Sequence, residues 1–275
     1  MEEKSVLLEV QMRELTQLDS LKLKNPVCIQ GMPGIALAGK TAVDFLIKNT
    51  NAVKVAEIYS ADFPPNVKVT LEGRLLAPAC GIYVWKNDKL ENDFIFISGE
   101  WQPTSVIGMN MLSDFVARTV VSMGAKMVIA LAASPIDEPT LNPKVYVTGT
   151  SNEIISFVTS RVSHVQVLRE GVITGMNGLV PIIASTLYGA DGLIFLGEAC
   201  YMIDRLVGIP KDPAASKALV DVICKLFNLD INTSALHREA ERVVKLAEAM
   251  KRRFLQAERR VTRKVEERKP PEYIS

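Results

Sequence analysis

The chain has little of what polar catalytic chemistry is built from. Its 275 residues hold two histidines, His164 and His237, too few and too far apart in the chain for a histidine metal cluster or a Ser-His-Asp relay. Ser151 lies in TGTSNE, which lacks the G-x-S-x-G elbow and reads as a helix cap. The four cysteines, Cys28, Cys80, Cys200 and Cys224, form no C-x-x-C pair. Neither a zinc site nor a disulfide framework is therefore expected, no metal or cofactor is predicted, and a reducing cytoplasm is the simplest setting. No apolar segment reaches 18 residues, which argues against a membrane span. The opening MEEKSVLLEVQM sets acids before a short apolar run, the reverse of a secretory signal. Net charge is only +1, so overall charge predicts no strong partner, nucleic acid included.

What the chain does have is material for a core. Hydrophobic residues make up 48%, enough at this length for one large α/β domain or two small ones. Val27 to Gln30, Val53 to Tyr59, Ile82 to Trp85, Phe94 to Ser98, Met127 to Ala132, Val145 to Thr148, Val165 to Leu168 and Gly192 to Leu196 read as strands. Several are continuous β-branched or aromatic runs, the pattern of strands buried on both faces. Helices are predicted over Pro33 to Lys48, Pro103 to Met123, Asn152 to Ser160, Gly178 to Tyr188 and Pro213 to Phe227. This alternation predicts an α/β sandwich around a mostly parallel or mixed sheet. Tyr59 to Ile82, broken by Pro64, Pro65, Gly73 and Pro78, reads as an excursion of short strands.

One segment admits two incompatible readings. Gly34 to Thr41 matches the phosphate-binding pattern G-x-x-x-x-G-K-[ST] letter for letter, which would make the protein a nucleotide-dependent enzyme. A phosphate cradle turns successive backbone N–H groups inward, however, and its intervening residues are usually small, polar or glycine. Here they are Ile35, Ala36, Leu37 and Ala38, with Pro33 where a first helical residue is tolerated. The favoured expectation is a helix that begins near Pro33 and carries Gly39 and Lys40 inside it.

The grammar changes after Thr233. From Ser234, a candidate N-cap, to Arg268 neither Gly nor Pro interrupts a segment rich in Ala, Glu, Lys and Arg. A helix of this length spans about 50 Å at ~1.5 Å per residue. Leu236, Ala240, Val243, Ala247, Met250, Phe254, Ala257 and Val261 step by four and three, a heptad stripe suited to another helix, as in a coiled coil. The alternative is an amphipathic helix lying on its own domain. Residues 234–275 carry a net +5 and residues 1–233 a net −4, so a mildly acidic body bears a basic tail. Residues 1–233 are thus expected to form the core, 234–269 the long helix and 270–275 an extended tail after Pro270 and Pro271.

Glu100 and Glu198 each follow an apolar strand, at the carboxyl edge where open α/β sheets bind ligands. With Asn177 between Gly175 and Gly178 they could line a pocket for a small molecule such as a nucleoside or nucleotide. The plainer reading has them satisfying loop N–H groups.

Several separated motifs resemble one family. GMPGIALAG, SGEWQP at Ser98 to Pro103, VYVTGTSNE at Val145 to Glu153, TGMNGLV at Thr174 to Val180, and LGEA followed by KDPAASKALV at Lys211 to Val220 together resemble the proteasome assembly chaperones, in particular archaeal homologues of the second of the paired eukaryotic chaperones. The resemblance spans roughly residues 20 to 230. It implies a three-layer α/β/α sandwich akin to nucleoside phosphorylases without their catalytic groups, and a homo-oligomer with a projecting C-terminal helix. It also implies proteasome α-subunits as partners, reached by a tail of which Tyr273, Ile274 and Ser275 are the candidate contacts. Val243, Ala247, Met250, Phe254 and Val261 are the candidate helix-partner stripe. The chain departs from the family tail in having Tyr273 third from the end and Glu272 before it. Lys40 and Thr41 are not a family feature.

Overall fold

A computed structural model describes residues 9–266. Its strands are β1 (Val10–Glu14), β2 (Val27–Gly31), β3 (Val53–Ser60), β4 (Lys68–Val69), β5 (Leu75–Leu76), β6 (Cys80–Trp85), β7 (Phe94–Gly99), β8 (Met127–Ile136), β9 (Val145–Gly149), β10 (Gln166–Val167) and β11 (Asp191–Cys200). Its helices are α1 (Ala38–Thr50), α2 (Val106–Ser122), α3 (Asn152–Arg161), α4 (Met176–Tyr188), α5 (Ile203–Val207), α6 (Pro213–Phe227) and α7 (Ser234–Glu266). Among the described residues nine strands make one sheet, in the order β1-β3-β6-β7-β2-β8-β11-β9-β10, and β4 and β5 pair apart from it.

The sheet is mixed for a reason visible in its residues. β7, β2, β8 and β11 run parallel at its centre, and their Val, Ile and Phe side chains are buried on both faces, as continuous apolar runs require. The flanking strands β6 and β9 run antiparallel to them. One core lies where α1, α3 and α6 cover the sheet, around Ile29, Phe96, Leu193 and Leu219. A second lies under α2 and α4, around Ile97, Val116, Val128 and Val180. Helices on both faces of one sheet give the expected three layers. The long helix α7 then lies outside α6, with Ala240 and Val244 against Ala214.

Three of the differences from expectation have a clear local cause. β1 was not anticipated, because VQMRE is half polar and becomes a strand only by pairing with β3 at the sheet edge. α2 starts at Val106 rather than Pro103, since Ser105 caps it by accepting a hydrogen bond from Gly108 N at 3.0 Å. The third difference bears on function. α1 begins at Ala38, not near Pro33, because Ala36 (φ 46°) and Leu37 (φ 47°) adopt left-handed conformations. Two such residues in succession cost on the order of 1 kcal/mol each. Tertiary contacts hold them there: Ala36 O accepts from Asp212 N at 2.8 Å.

Asp212 also caps α6. Its buried carboxylate accepts from the backbone N–H groups of Cys200, Ala214 and Ala215, at 3.0, 3.0 and 3.1 Å. Asp212→Ala would leave three donors without partners, and we expect it to lower the unfolding free energy by about 2–3 kcal/mol, read by denaturant titration. A loss below about 0.5 kcal/mol would mean that water replaces the carboxylate there.

Candidate functional site

The loops at the carboxyl edge of the sheet are tied to one another by the residues of the separated motifs. Asn177, at the start of α4, accepts from Met32 N at 2.9 Å and donates to Met32 O at 3.0 Å. Gln102 accepts from Met176 N at 2.8 Å and donates to Pro33 O. Gln30 donates from beneath to Met176 O at 2.7 Å. Together with the Asp212 N–H on Ala36 O, these bonds clamp the GMPG turn between α4, the SGEWQP segment and the start of α6. Glu198 satisfies the β9 side of the same edge, accepting from Lys144 N at 3.0 Å and from the Tyr146 hydroxyl at 2.9 Å.

The structure therefore does not bring Glu100, Asn177 and Glu198 into one pocket. Asn177 uses its amide on Met32 and borders a cavity of about 700 Å³ with Gln102, Gly34 and Thr174. Glu198 serves backbone and tyrosine. Glu100 alone faces a charged cavity, of about 490 Å³, between α1, the open face of β3 and β6, and the β4–β5 hairpin. The plainer reading, carboxylates satisfying loop N–H groups, holds for Glu198 and not for Glu100.

That charged cavity is where Lys40 goes. With α1 starting at Ala38, Lys40 lies in its first turn, and its buried amine reaches Asp44 at 2.6 Å and Glu100 at 3.2 Å. Asp44 accepts a second hydrogen bond from Ser98 Oγ at 2.6 Å. Lys68, from the hairpin, approaches Glu100 at 3.4 Å. Across the cavity Glu57 accepts from Tyr59 at 2.7 Å and pairs with Lys54 at 3.0 Å. The Lys40–Asp44 pair at helical spacing was legible in the sequence, but Ser98 and Lys68 enter only through the fold.

Burial by itself would lower the Lys40 pKa, but Asp44 and then Glu100 outweigh it and hold the ammonium above the ordinary lysine value. Burial likewise pushes Glu100 up, and Lys40 followed by Lys68 overcome it, leaving the carboxyl below the ordinary glutamate value. The pairing of Glu100 thus stabilises the fold above the ordinary 4.5 and is lost as pH falls through its lower folded value. The pairing of Lys40 is fully present below 10.5 and is lost as pH rises through its higher folded value. These two pairings should therefore contribute a constant amount to the thermal midpoint between about pH 5 and 9, above which the buried thiols also begin to destabilise the fold. Lys40→Met should lower the midpoint at neutral pH and shrink the alkaline fall. A Lys40→Met midpoint unchanged across pH would show that the network contributes nothing.

This arrangement corrects the reason for doubting the nucleotide reading, though not the doubt. Lys40 does stand at the start of a helix after a strand and a loop. Two carboxylates hold its amine, however, and a phosphate there would meet both. The backbone at Gly39 packs against Leu131 and so does not line an open cradle. Among the described residues no group of His, Cys, Asp or Glu stands ready to hold a metal ion, and no helix is long and apolar enough to cross a membrane. Burial raises the Cys80 and Cys224 thiols to about 12, and so leaves them unreactive.

A model of the PAC2 family matches residues 28–251. The chain belongs to that family. Pyrococcus furiosus PbaB, an archaeal proteasome activator, shares 26% identity over 89% of this chain and 100% of its own, with a TM-score of 0.77. PbaA of the same organism, an archaeal homolog of proteasome-assembly chaperone, shares 25% identity over 94% and 98%, with a TM-score of 0.69. An uncharacterised protein of Methanocaldococcus jannaschii is 29% identical over 233 residues, 84% of each chain. The resemblance read from the motifs is thus to the right family, and in this PAC2 chain the GMPG, SGEWQP, TGMNGLV and KDPAA segments build the clamp at the sheet edge.

The PAC2 match ends at Lys251, whose amine pairs with Glu138 in the body. Up to this point α7 belongs to the fold. Val243 packs with Cys200 and Ile203, and Ala247 is fully buried, so the near part of the expected partner stripe is covered by its own chain. Met250 is half-buried. The side chains of Phe254 and Val261, and all of Tyr273, Ile274 and Ser275, lie outside the described residues.

Proposed function

We propose that this protein is a homo-oligomeric scaffold that binds proteasome core subunits, as an assembly chaperone or activator does, and has no catalysis of its own. The observation that supports this most directly is the likeness to the P. furiosus proteasome activator, which covers the whole of that chain at 26% identity. The contact is assigned to the far end of α7 and the residues after it, including Tyr273, Ile274 and Ser275. Between Lys251 and Lys264 the sequence places Lys251, Arg252, Arg253, Arg259, Arg260, Arg263 and Lys264 against Glu258 alone. A helix so charged is steered toward an acidic groove, and its association should weaken as salt rises.

The test is capture of archaeal proteasome α-subunits by the full chain and by a chain ending at Arg252, which keeps the buried half of α7. The full chain should retain the subunits at low salt and the shortened one should not. Equal capture by both would remove the contact from the helix end, and capture by neither would remove the function.

A further inference from the structure

The β4–β5 hairpin carries its side chains inside out. Lys68 and Leu76 are paired on one side, from which Lys68 reaches Glu100 in the body. Val69 and Leu75 are paired on the other, although Leu75 also borders the charged cavity. Strand alternation puts Val67 on that outer side as well, and Leu71 stands at the turn. Val67, Val69 and Leu75 are more than half exposed, and Leu71 is wholly so. A hairpin meant for water shows the opposite pattern, with polar residues outward. The four side chains present roughly 500 Å² of apolar surface, as large as functional patches on monomers and more than half of the ~800 Å² each partner gives to a standard interface.

We propose that this outer face is where a second copy of the chain docks. Among the described residues β4 and β5 pair only with each other, which leaves two open edges. A two-stranded sheet is marginal in water, and three or more strands with an apolar face are needed to hold. Stacked face to face about a two-fold axis, two hairpins supply four strands and bury each other's apolar side chains between them. Lasting interfaces are also the more apolar ones. The charges beside the patch suit the same symmetry: Glu72 and Arg74 are opposite in sign and 3.9 Å apart within one copy, so a two-fold axis can set each against its opposite. The assignment refines the homo-oligomeric part of the function proposed above and rests on that part alone.

The native mass of the full chain, measured by light scattering over a range of concentrations, tests it without the proteasome. The double variant V69K/L71D should shift to a smaller species, with association weakened roughly 100-fold or more. Its circular dichroism should be unchanged, because both positions are exposed within one copy. Leu71→Cys treated with a short bismaleimide should give a covalent dimer, an independent reading should the charged variant fold poorly. A full chain that is monomeric throughout, a well-folded V69K/L71D of unchanged mass, or no covalent dimer from Leu71→Cys overturns the proposal. Loss of proteasome capture by V69K/L71D at unchanged mass also overturns it, and gives the face to that partner.

Discussion

Gly39→Ala is expected to destabilise the protein by about 3 kcal/mol or more, and Gly34→Ala by less than about 0.5 kcal/mol. Both glycines are letters of the same phosphate-loop pattern, but their surroundings have nothing in common. A Cβ on Gly39 would lie 1.9 Å from the carbonyl oxygen of Leu131 and 2.5 Å from its carbon, backbone atoms that cannot swing aside. A Cβ on Gly31 would in turn lie 2.3 Å from Gly39 O. The first turn of α1 therefore sits backbone to backbone on β2 and β8, and a single methyl group must push the helix off the sheet. A Cβ on Gly34 would find its nearest neighbour at 3.7 Å, and its φ of −156° is extended backbone that any residue adopts. Denaturant unfolding should separate the two variants clearly, with a thermal midpoint roughly 10 °C lower for Gly39→Ala. Similar losses at both positions would contradict the packing account and reopen the ligand-binding one.

Removing α7 altogether is expected to be far worse than removing its far end. A chain ending at Thr233 loses the burial of Leu236, Ala240, Val243, Val244 and Ala247, all 3% exposed or less. One Leu and two Val side chains account for on the order of 5 kcal/mol of gross hydrophobic stabilisation, comparable to the whole margin of a typical domain. The cut also uncovers Cys200, Ile203 and Ala214 as a new apolar patch, so the shortened chain should aggregate and bind hydrophobic dyes. A chain ending at Arg252 keeps these contacts and the Lys251–Glu138 pair, and its thermal midpoint should match the full chain within a few degrees. Should the chain ending at Thr233 prove monodisperse and equally stable, α7 would be an appendage and not part of the fold.

Much of the fold could be read locally. β2, β7, β8 and β11 are continuous apolar runs, and burial on both faces is the only environment that suits them. The start of α6 was legible in Asp212-Pro213, a capping residue followed by a first-turn proline. The length of α7 followed from a segment without Gly or Pro. Its start was placed correctly, although Asn232 and not Ser234 supplies the cap, accepting from Ser234 N at 2.9 Å. The excursion between Tyr59 and Ile82 was legible from its prolines and glycine. β1 was not, because an edge strand of mixed polarity carries no periodic signal and depends on its partner. The candidate pocket failed for a related reason. Glu100 directly follows β7 and Glu198 lies near the end of β11, both at the carboxyl edge, but which loop each one faces is set by strand order, which local patterns do not contain.

The sequence by itself determined the layered α/β architecture, the long basic helix and, through its separated motifs, the family, because hydrophobic period, capping and motif order are all local properties of the chain. Only the tertiary structure decided where α1 begins, what holds Lys40, that the motif residues Asn177, Gln102 and Asp212 bond to one turn, and that the near half of α7 is core. Each of these depends on contacts between residues far apart in the chain, in which a carbonyl 1.9 Å from where a methyl group would be outweighs any helix propensity.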